Sequence, residues 1–106
     1  MIFEIRVYEH VEGRADGVRD RFKDEVVPRF AHHNIELLGA FTDTETGMLT
    51  YITRFADEAA RKAAWASFGA DPEWKAAKAA SEVDGPLIAR QRVSIIEPAI
   101  SGLMIA

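Results

Sequence analysis

Residues 2–9 read Ile2-Phe3-Glu4-Ile5-Arg6-Val7-Tyr8-Glu9, with apolar residues on alternate positions and charged or aromatic residues between them. Residues 87–96 continue in the same style, as Leu87-Ile88-Ala89-Arg90-Gln91-Arg92-Val93-Ser94-Ile95-Ile96. Successive side chains of a β-strand point to opposite faces of the sheet, so this alternation predicts two strands that each serve two surfaces. One surface would close a core under helices, and the other would face water or a second subunit.

The length and composition indicate which classes of protein this chain can belong to. A chain of 106 residues with 48% hydrophobic residues has material for one core, so we expect a single domain over residues 1–106. Its net charge of −4 disfavours nucleic acid and anionic membranes as partners. The absence of cysteine excludes disulfides and thiolate metal sites. No apolar run approaches the roughly 20 residues that span a bilayer, so the expectation is a soluble, cytoplasmic protein.

The segment after the first strand has the periodicity of an amphipathic helix. Its apolar residues recur every four positions, at Val18, Phe22, Val26 and Phe30. Pro28 lies inside this pattern and lacks a backbone donor, so a kink or a weakened last turn is expected there. Asn34 tolerates the left-handed conformation that commonly ends a helix.

Two further strands and a second helical region follow. Residues 35–42 and 49–55 read as strands joined by the turn-rich loop 43–47, which has the length of a hairpin connection. Asp57 is the expected N-cap of a helix that ends near Gly69 and buries a narrow stripe of Ala64, Trp65 and Phe68. The run Asp71-Pro72-Glu73-Trp74 then predicts a new helix start, and Gly85-Pro86 closes that helix before the last strand.

This order of elements predicts an α+β fold. Strand, helix, strand, strand, helix, strand folds most simply as a ferredoxin-like four-stranded antiparallel sheet with helices on one face. The other face must be solvated or covered by a partner, and we expect a second copy to cover it. If the helix-facing residues of the first strand are Phe3, Ile5 and Val7, the covered face carries Ile2, Glu4, Arg6, Tyr8, Ile52 and Arg54. The apolar run 100–106 is expected to dock onto the same partner subunit.

Four short motifs carry a resemblance to a known family. They are the opening Ile2–Tyr8, similar to Tyr-Glu-Leu-Arg-x-Tyr, then Pro28-x-Phe30, Ile35-Glu36-Leu37-Leu38-Gly39, and Asp71-Pro72-Glu73-Trp74 after Arg61. In this order the chain resembles the NIPSNAP family, within the larger group of dimeric α+β barrels. The resemblance implies a homodimer whose two sheets pair into a barrel with helices outside. It implies no particular reaction, because the barrel group includes cofactor-independent monooxygenases, haem-degrading enzymes and proteins without a known reaction.

The candidate ligand or barrel site combines charged and aromatic side chains. Trp65 and Trp74, with Phe68, could stack a flat apolar or aromatic ligand, although aromatic residues at helical spacing usually belong to the core. The strand residues could bind an anionic or phenolic group, or could simply pair across strands. The complete candidate set is Glu4, Arg6, Tyr8, Tyr51, Arg54, Trp65 and Trp74.

Histidines and serines give no recognisable catalytic motif. Neighbouring His32 and His33 cannot point the same way from a helix, and no third ligand stands at a helical spacing from them, so no metal site is expected. No cofactor is predicted, although general acid–base work by one histidine stays open. No serine shares a readable motif with a histidine and an acid.

Two functions remain open from the sequence. One is a non-catalytic homodimer that binds a small ligand or another protein. The other is a cofactor-independent monooxygenase-like or isomerase-like enzyme that acts on an aromatic small molecule. The sequence slightly favours the first function, because no set of residues supplies a nucleophile, a base and an orienting group together.

Overall fold

Four strands form one antiparallel sheet in the computed structural model, which describes residues 1–102. Most of the apolar run 100–106, which is expected to dock onto a partner subunit, lies outside the described residues. The strand Ile2–His10 hydrogen-bonds to both Leu49–Phe55 and Ile88–Ile96, which places the first and last strands side by side. This confirms the ferredoxin-like sheet with helices on one face. The strands, in the spatial order β2-β3-β1-β4, are β1 (Ile2–His10), β2 (Glu36–Thr42), β3 (Leu49–Phe55) and β4 (Ile88–Ile96).

The first helical region changes its winding before Pro28. It comprises α1 (Ala15–Arg21), a π-helical turn (Phe22–Val26), α2 (Val27–Phe30) and a short 3-10 turn (Ala31–His33). Pro28 has no N–H, and the pattern of backbone hydrogen bonds shifts just before it. The Val27 N–H donates to the carbonyl of Phe22, five residues earlier, as in a π-helix. Nη1 of Arg29 donates to the Glu25 carbonyl at 2.6 Å. The predicted distortion therefore takes the form of a widened turn, not a break.

The remaining helix ends follow the predicted capping residues. Asn34 has φ 58° and stops the first helical region in the left-handed conformation. The Asp57 carboxylate accepts the Ala60 N–H at 2.8 Å and starts α3 (Glu58–Ala70), which runs one residue beyond the predicted Gly69. Asp71 in the same way starts α4 (Pro72–Ser81). No helix within residues 1–102 has the length and apolar character needed to cross a membrane.

The core lies between these helices and one face of the sheet. The four apolar residues predicted from the helical period are all buried there: Val18, Phe22, Val26 and Phe30. Strand β3 contributes Leu49, Tyr51 and Phe55, and α3 contributes Ala64 and Phe68.

The two faces of β1 are the reverse of the arrangement considered from the sequence. Glu4 and Arg6 stand opposite Thr53 and Tyr51 of β3, two residues with no exposed surface beneath the helices. The even-numbered residues of β1 therefore face the helices. Its odd-numbered residues lie on the uncovered side, which we call the open face; by strand register it carries Phe3, Ile5, Val7, Phe41, Ile52, Arg54 and Ile96. The physical reason is that the even-numbered residues find their polar partners on this side, from α3 for Glu4 and from β3 for Tyr8.

Candidate functional site

A cavity of about 720 Å³ lies between the sheet and the helices. Arg6 and Tyr8 of β1 and Gln91 of β4 form its floor, and Trp65 of α3 and Trp74 of α4 stand in its walls. Its volume is within the range of roughly 300–1,000 Å³ that is usual for small-molecule sites. The mixture of aromatic walls and a few fixed polar groups is also typical of such sites.

A buried carboxylate organises the floor of this cavity. Glu4 has no exposed surface and accepts three hydrogen bonds, from Arg6 Nε at 3.0 Å, Arg61 Nη1 at 2.7 Å and Trp65 Nε1 at 2.8 Å. Arg61 and Trp65 lie four residues apart on α3 and thus on one face of that helix. The helix therefore delivers both donors to one carboxylate, which explains why Glu4 points inward.

Arg6 is held between this carboxylate and an aromatic ring. Its guanidinium carbon lies 4.0 Å from the centroid of the Trp65 ring, a cation–π geometry. Its Nη1 donates to Gln91 Oε1 at 3.3 Å. Three contacts from three elements thus fix the guanidinium at the cavity floor, without the freedom of a surface arginine.

Tyr8 and Tyr51 form a hydroxyl pair beside Arg6. Their oxygens are 2.6 Å apart and their rings meet edge to face. Burial raises the pKa of Tyr8, and burial together with the Tyr8 neighbour raises the pKa of Tyr51 well above its usual value. Both phenols therefore stay protonated at neutral pH.

A second ion pair stands at the opposite wall. The buried Arg21 donates to Glu82 at 2.8 Å and to Ser81 Oγ at 3.1 Å, and its guanidinium carbon lies 5.5 Å from the Trp74 ring centroid. Arg21 is three residues after Val18, on the apolar side of α1. A charged residue at that helical position is the signal in the sequence that could have added it to the site.

The structure brings six of the seven candidate site residues to this region. Arg54 is the exception, because it alternates with the inward-facing Thr53 and Phe55 and therefore points to the open face, where it pairs with Glu36. The structure therefore does not bring Arg54 together with the other six. Sequence reasoning missed four polar side chains of the cavity, namely Arg21, Lys78, Glu82 and Gln91.

The fold also assembles a serine, a histidine and an aspartate that are distant in the sequence. His33 Nδ1 lies 2.7 Å from Ser67 Oγ, and His33 Nε2 lies 2.7 Å from Asp71 Oδ2. Ser67 is on the exposed surface of α3 and does not line the cavity. The other oxygen of Asp71 caps α4 through the Glu73 N–H at 2.8 Å. We therefore interpret this group as a clamp that ties the first helical region to α3 and α4. Within residues 1–102 no three His, Asp or Glu side chains are grouped as metal ligands.

This clamp predicts a pH dependence of stability. The His33 hydrogen bond, helped by the Glu73 and Trp74 N–H groups, lowers the pKa of Asp71. A lowered pKa in the folded state contributes stability that is complete above the unfolded pKa of about 4 and is lost as the pH falls through the folded pKa. Asparagine also caps helices, so Asp71→Asn should remove the charge and keep the cap. We expect the melting temperature of Asp71→Asn to lie below that of the wild type at neutral pH and the gap to narrow below about pH 4.

Thermal unfolding followed by circular dichroism between neutral pH and pH 3 measures this gap. Asp57→Asn, which alters the corresponding N-cap of α3, is the matched control for capping itself. A gap for Asp71→Asn that stays constant across the pH range would contradict the assignment.

Comparison with known proteins agrees with this architecture. The NIPSNAP family model matches residues 3–101. A NIPSNAP family protein of unknown function from Agrobacterium tumefaciens is 28% identical, with a TM-score of 0.82 over 98% of this chain and 94% of that one. A NIPSNAP domain protein from Burkholderia xenovorans is 22% identical, with a TM-score of 0.79 over 93% and 95% of the two chains.

More distant structures share the fold alone. An antibiotic biosynthesis monooxygenase is 16% identical, with a TM-score of 0.65 over 94% of this chain and 100% of that one. Among proteins with curated descriptions, none matches this chain. The family model covers nearly the whole chain, and the structures of two NIPSNAP proteins superpose on it, so the chain belongs to the NIPSNAP family.

Proposed function

We propose that this protein binds a small organic ligand in the cavity between its helices and its sheet, and that it works as a homodimer. The observation that carries the proposal is the organised cavity floor. Glu4, Arg6 and Trp65 fix one another through hydrogen bonds and a cation–π contact. Such mutual fixing is the preorganisation that a binding site needs, because groups already ordered lose little entropy when a ligand arrives.

The aromatic content of the cavity indicates what kind of molecule fits. Trp65 and Trp74 line it together with Phe22 and Phe68, so flat, polarisable rings form part of its walls. Large rings offer extensive contact area to another ring at low entropic cost. The ligand is therefore a small molecule with at least one apolar or aromatic portion.

The open face supports the homodimer. Phe41 is 60% exposed and Ile96 44% exposed, and Ile5 stands opposite Ile52 at the centre of the same face. A large exposed apolar patch on a soluble protein usually marks an interface.

Charged residues of the open face lie mainly toward its margins and are already paired. Arg54 pairs with Glu36, while Arg90 and Arg92 both pair with Glu9. An apolar centre with a polar margin is the usual anatomy of an interface. Because each of these arginines has an acidic partner within the same chain, the repulsion between two identical faces is reduced.

A ligand screen tests the binding proposal directly. The chain has two tryptophans, and both line the cavity, so quenching of the intrinsic fluorescence reports occupancy of this site. We expect at least one member of a panel of aromatic acids, quinones, flavins and haem to quench the fluorescence and raise the melting temperature, because a ligand that binds only the folded state stabilises it. Trp74→Phe should keep the thermal shift and lose part of the quenching. A panel without any hit in either assay would contradict the proposal.

A second candidate function rests on the hydroxyl pair. The neutral Tyr8 phenol, held by Tyr51 and adjacent to the fixed Arg6 guanidinium, could stabilise an oxyanion that forms on a bound substrate, as a cofactor-independent monooxygenase or isomerase requires. The distinguishing experiment incubates a ligand found in the screen with the protein in air and follows it by liquid chromatography coupled to mass spectrometry, which separates isomers by retention time. A mass gain of one oxygen or an isomerised product would favour the enzyme, and an unchanged ligand would favour the binding protein.

A further inference from the structure

We infer that the cavity recognises an aromatic carboxylate, and that the Tyr8 hydroxyl donates a hydrogen bond to a carboxylate oxygen of that ligand. This inference rests on the proposed ligand-binding function and adds the chemical class of the ligand. It follows from three observations: the direction of the Tyr8–Tyr51 hydrogen bond, the charges around the cavity, and its aromatic walls.

The direction of the hydrogen bond follows from burial. Tyr51 has no exposed surface, and among residues 1–102 its hydroxyl contacts one partner, the Tyr8 hydroxyl at 2.6 Å. If Tyr8 were the donor, the Tyr51 proton would be buried without an acceptor, which is the more costly of the two arrangements. Tyr51 therefore donates to Tyr8, and the Tyr8 proton is left for another acceptor.

The surroundings of Tyr8 leave the cavity as the place for that acceptor. The adjacent Arg6 carries only donors, so it cannot accept the Tyr8 proton. The Gln91 amide oxygen is already bonded to Arg6 Nη1. Tyr8 is one of the residues that line the cavity. A hydroxyl donor beside a guanidinium forms a recognition pair for an oxygen that carries negative charge.

The charge balance favours an anion over a neutral oxygen. Three basic side chains face the cavity, Arg6, Arg21 and Lys78, against one acidic side chain, Glu82. Arg90 also lines the cavity, but its side chain pairs with Glu9 on the open face. Glu4 pairs with Arg6 from outside the lining, so three positive charges face two negative ones. The site therefore carries one excess positive charge on a protein whose net charge is −4. This excess positive charge and the flat rings of Trp65 and Trp74 together favour a flat ligand that bears a carboxylate.

Isothermal titration with matched probes tests the inference. 2-Naphthoate and 2-naphthamide share the same ring and differ in charge, and we expect the carboxylate to bind about tenfold more tightly or better. Tyr8→Phe should weaken 2-naphthoate binding by about tenfold to a hundredfold, because a hydrogen bond to a charged group is lost.

Tyr51→Phe is the control that distinguishes the two possible directions of the Tyr8–Tyr51 hydrogen bond. With Tyr51 as donor, the Tyr8 proton already points into the cavity, so Tyr51→Phe should leave 2-naphthoate affinity within about threefold. With Tyr8 as donor, the same change would free its proton and strengthen binding. Melting temperatures of both variants verify that the fold is intact.

The outcomes separate this inference from the binding proposal. Equal affinity for the two probes, an unchanged affinity in Tyr8→Phe, or tighter binding in Tyr51→Phe would each overturn the aromatic-carboxylate inference and leave ligand binding standing. Binding of another class of molecule with tryptophan quenching, but not of 2-naphthoate, would do the same. Failure of every compound in the wider panel would overturn both proposals.

Discussion

Replacing Glu4 with glutamine is expected to destabilise the protein by about 3–5 kcal/mol, because a buried ion pair loses one partner while the other stays buried. The Glu4 carboxylate satisfies donors from Arg6, Arg61 and Trp65. An amide offers one acceptor oxygen, and its NH₂ group is itself a donor directed at other donors. For a domain whose total stability is typically about 5–15 kcal/mol, this loss should lower the melting temperature by about 15 °C or more.

Thermal and urea unfolding of Glu4→Gln measure this effect. Glu58→Gln is the matched control, since Glu58 accepts from the same Arg61 at 2.7 Å on the exposed side of α3. Surface ion pairs contribute little, so the control should melt close to the wild type. If both variants melted within a few degrees of the wild type, the central role assigned to Glu4 would be wrong.

Placing a charge at the centre of the open face is expected to dissociate the proposed dimer. In a two-fold interface each substitution occurs twice, so Ile52→Glu would bury two carboxylates at once. The effective penalty is several kcal/mol for each buried ion, which corresponds to an increase in the dissociation constant of about a thousandfold or more. Sedimentation velocity at micromolar concentration should show a dimer for the wild type and a monomer for Ile52→Glu.

Val83→Glu provides the control for this experiment. Val83 is 78% exposed and lies after α4, so the same change in side-chain chemistry occurs away from the open face. This variant should sediment as the wild type does. A monomeric wild type would reject the dimer outright, and a dimeric Ile52→Glu would show that the open face is not the interface.

Much of the architecture could be predicted from local sequence. The period of two in residues 2–9 and 87–96 predicted β1 and β4, and the period of four from Val18 to Phe30 predicted the buried side of the first helical region. Asn34, Asp57 and Asp71 marked helix ends because their side chains make bonds within the nearest turn. These features depend on residues close in the chain, which is why the sequence contains them.

The site depended on contacts that local patterns do not encode. The clamp of Ser67, His33 and Asp71 joins three helical segments, so it could not be predicted from the spacing of these residues in the sequence. Arg21 lines the cavity beside the end of α4, where its Nη1 donates to Glu82 at 2.8 Å. Arg54 lies apart from the other candidate residues, because the alternation of side chains along β3 places it on the open face with Ile52.

The sequence by itself determined that β1 has one apolar row and one polar row, and that each row occupies its own face. Only the tertiary structure decided which row lies under the helices. Hydrophobicity favoured Phe3, Ile5 and Val7 for that position, yet the polar row lies there, because Arg61 and Trp65 of α3 give Glu4 its donors and Tyr51 of β3 gives Tyr8 its partner. Burial of a polar group is favourable only when its partners are in place, and those partners lie more than 40 residues away along the chain.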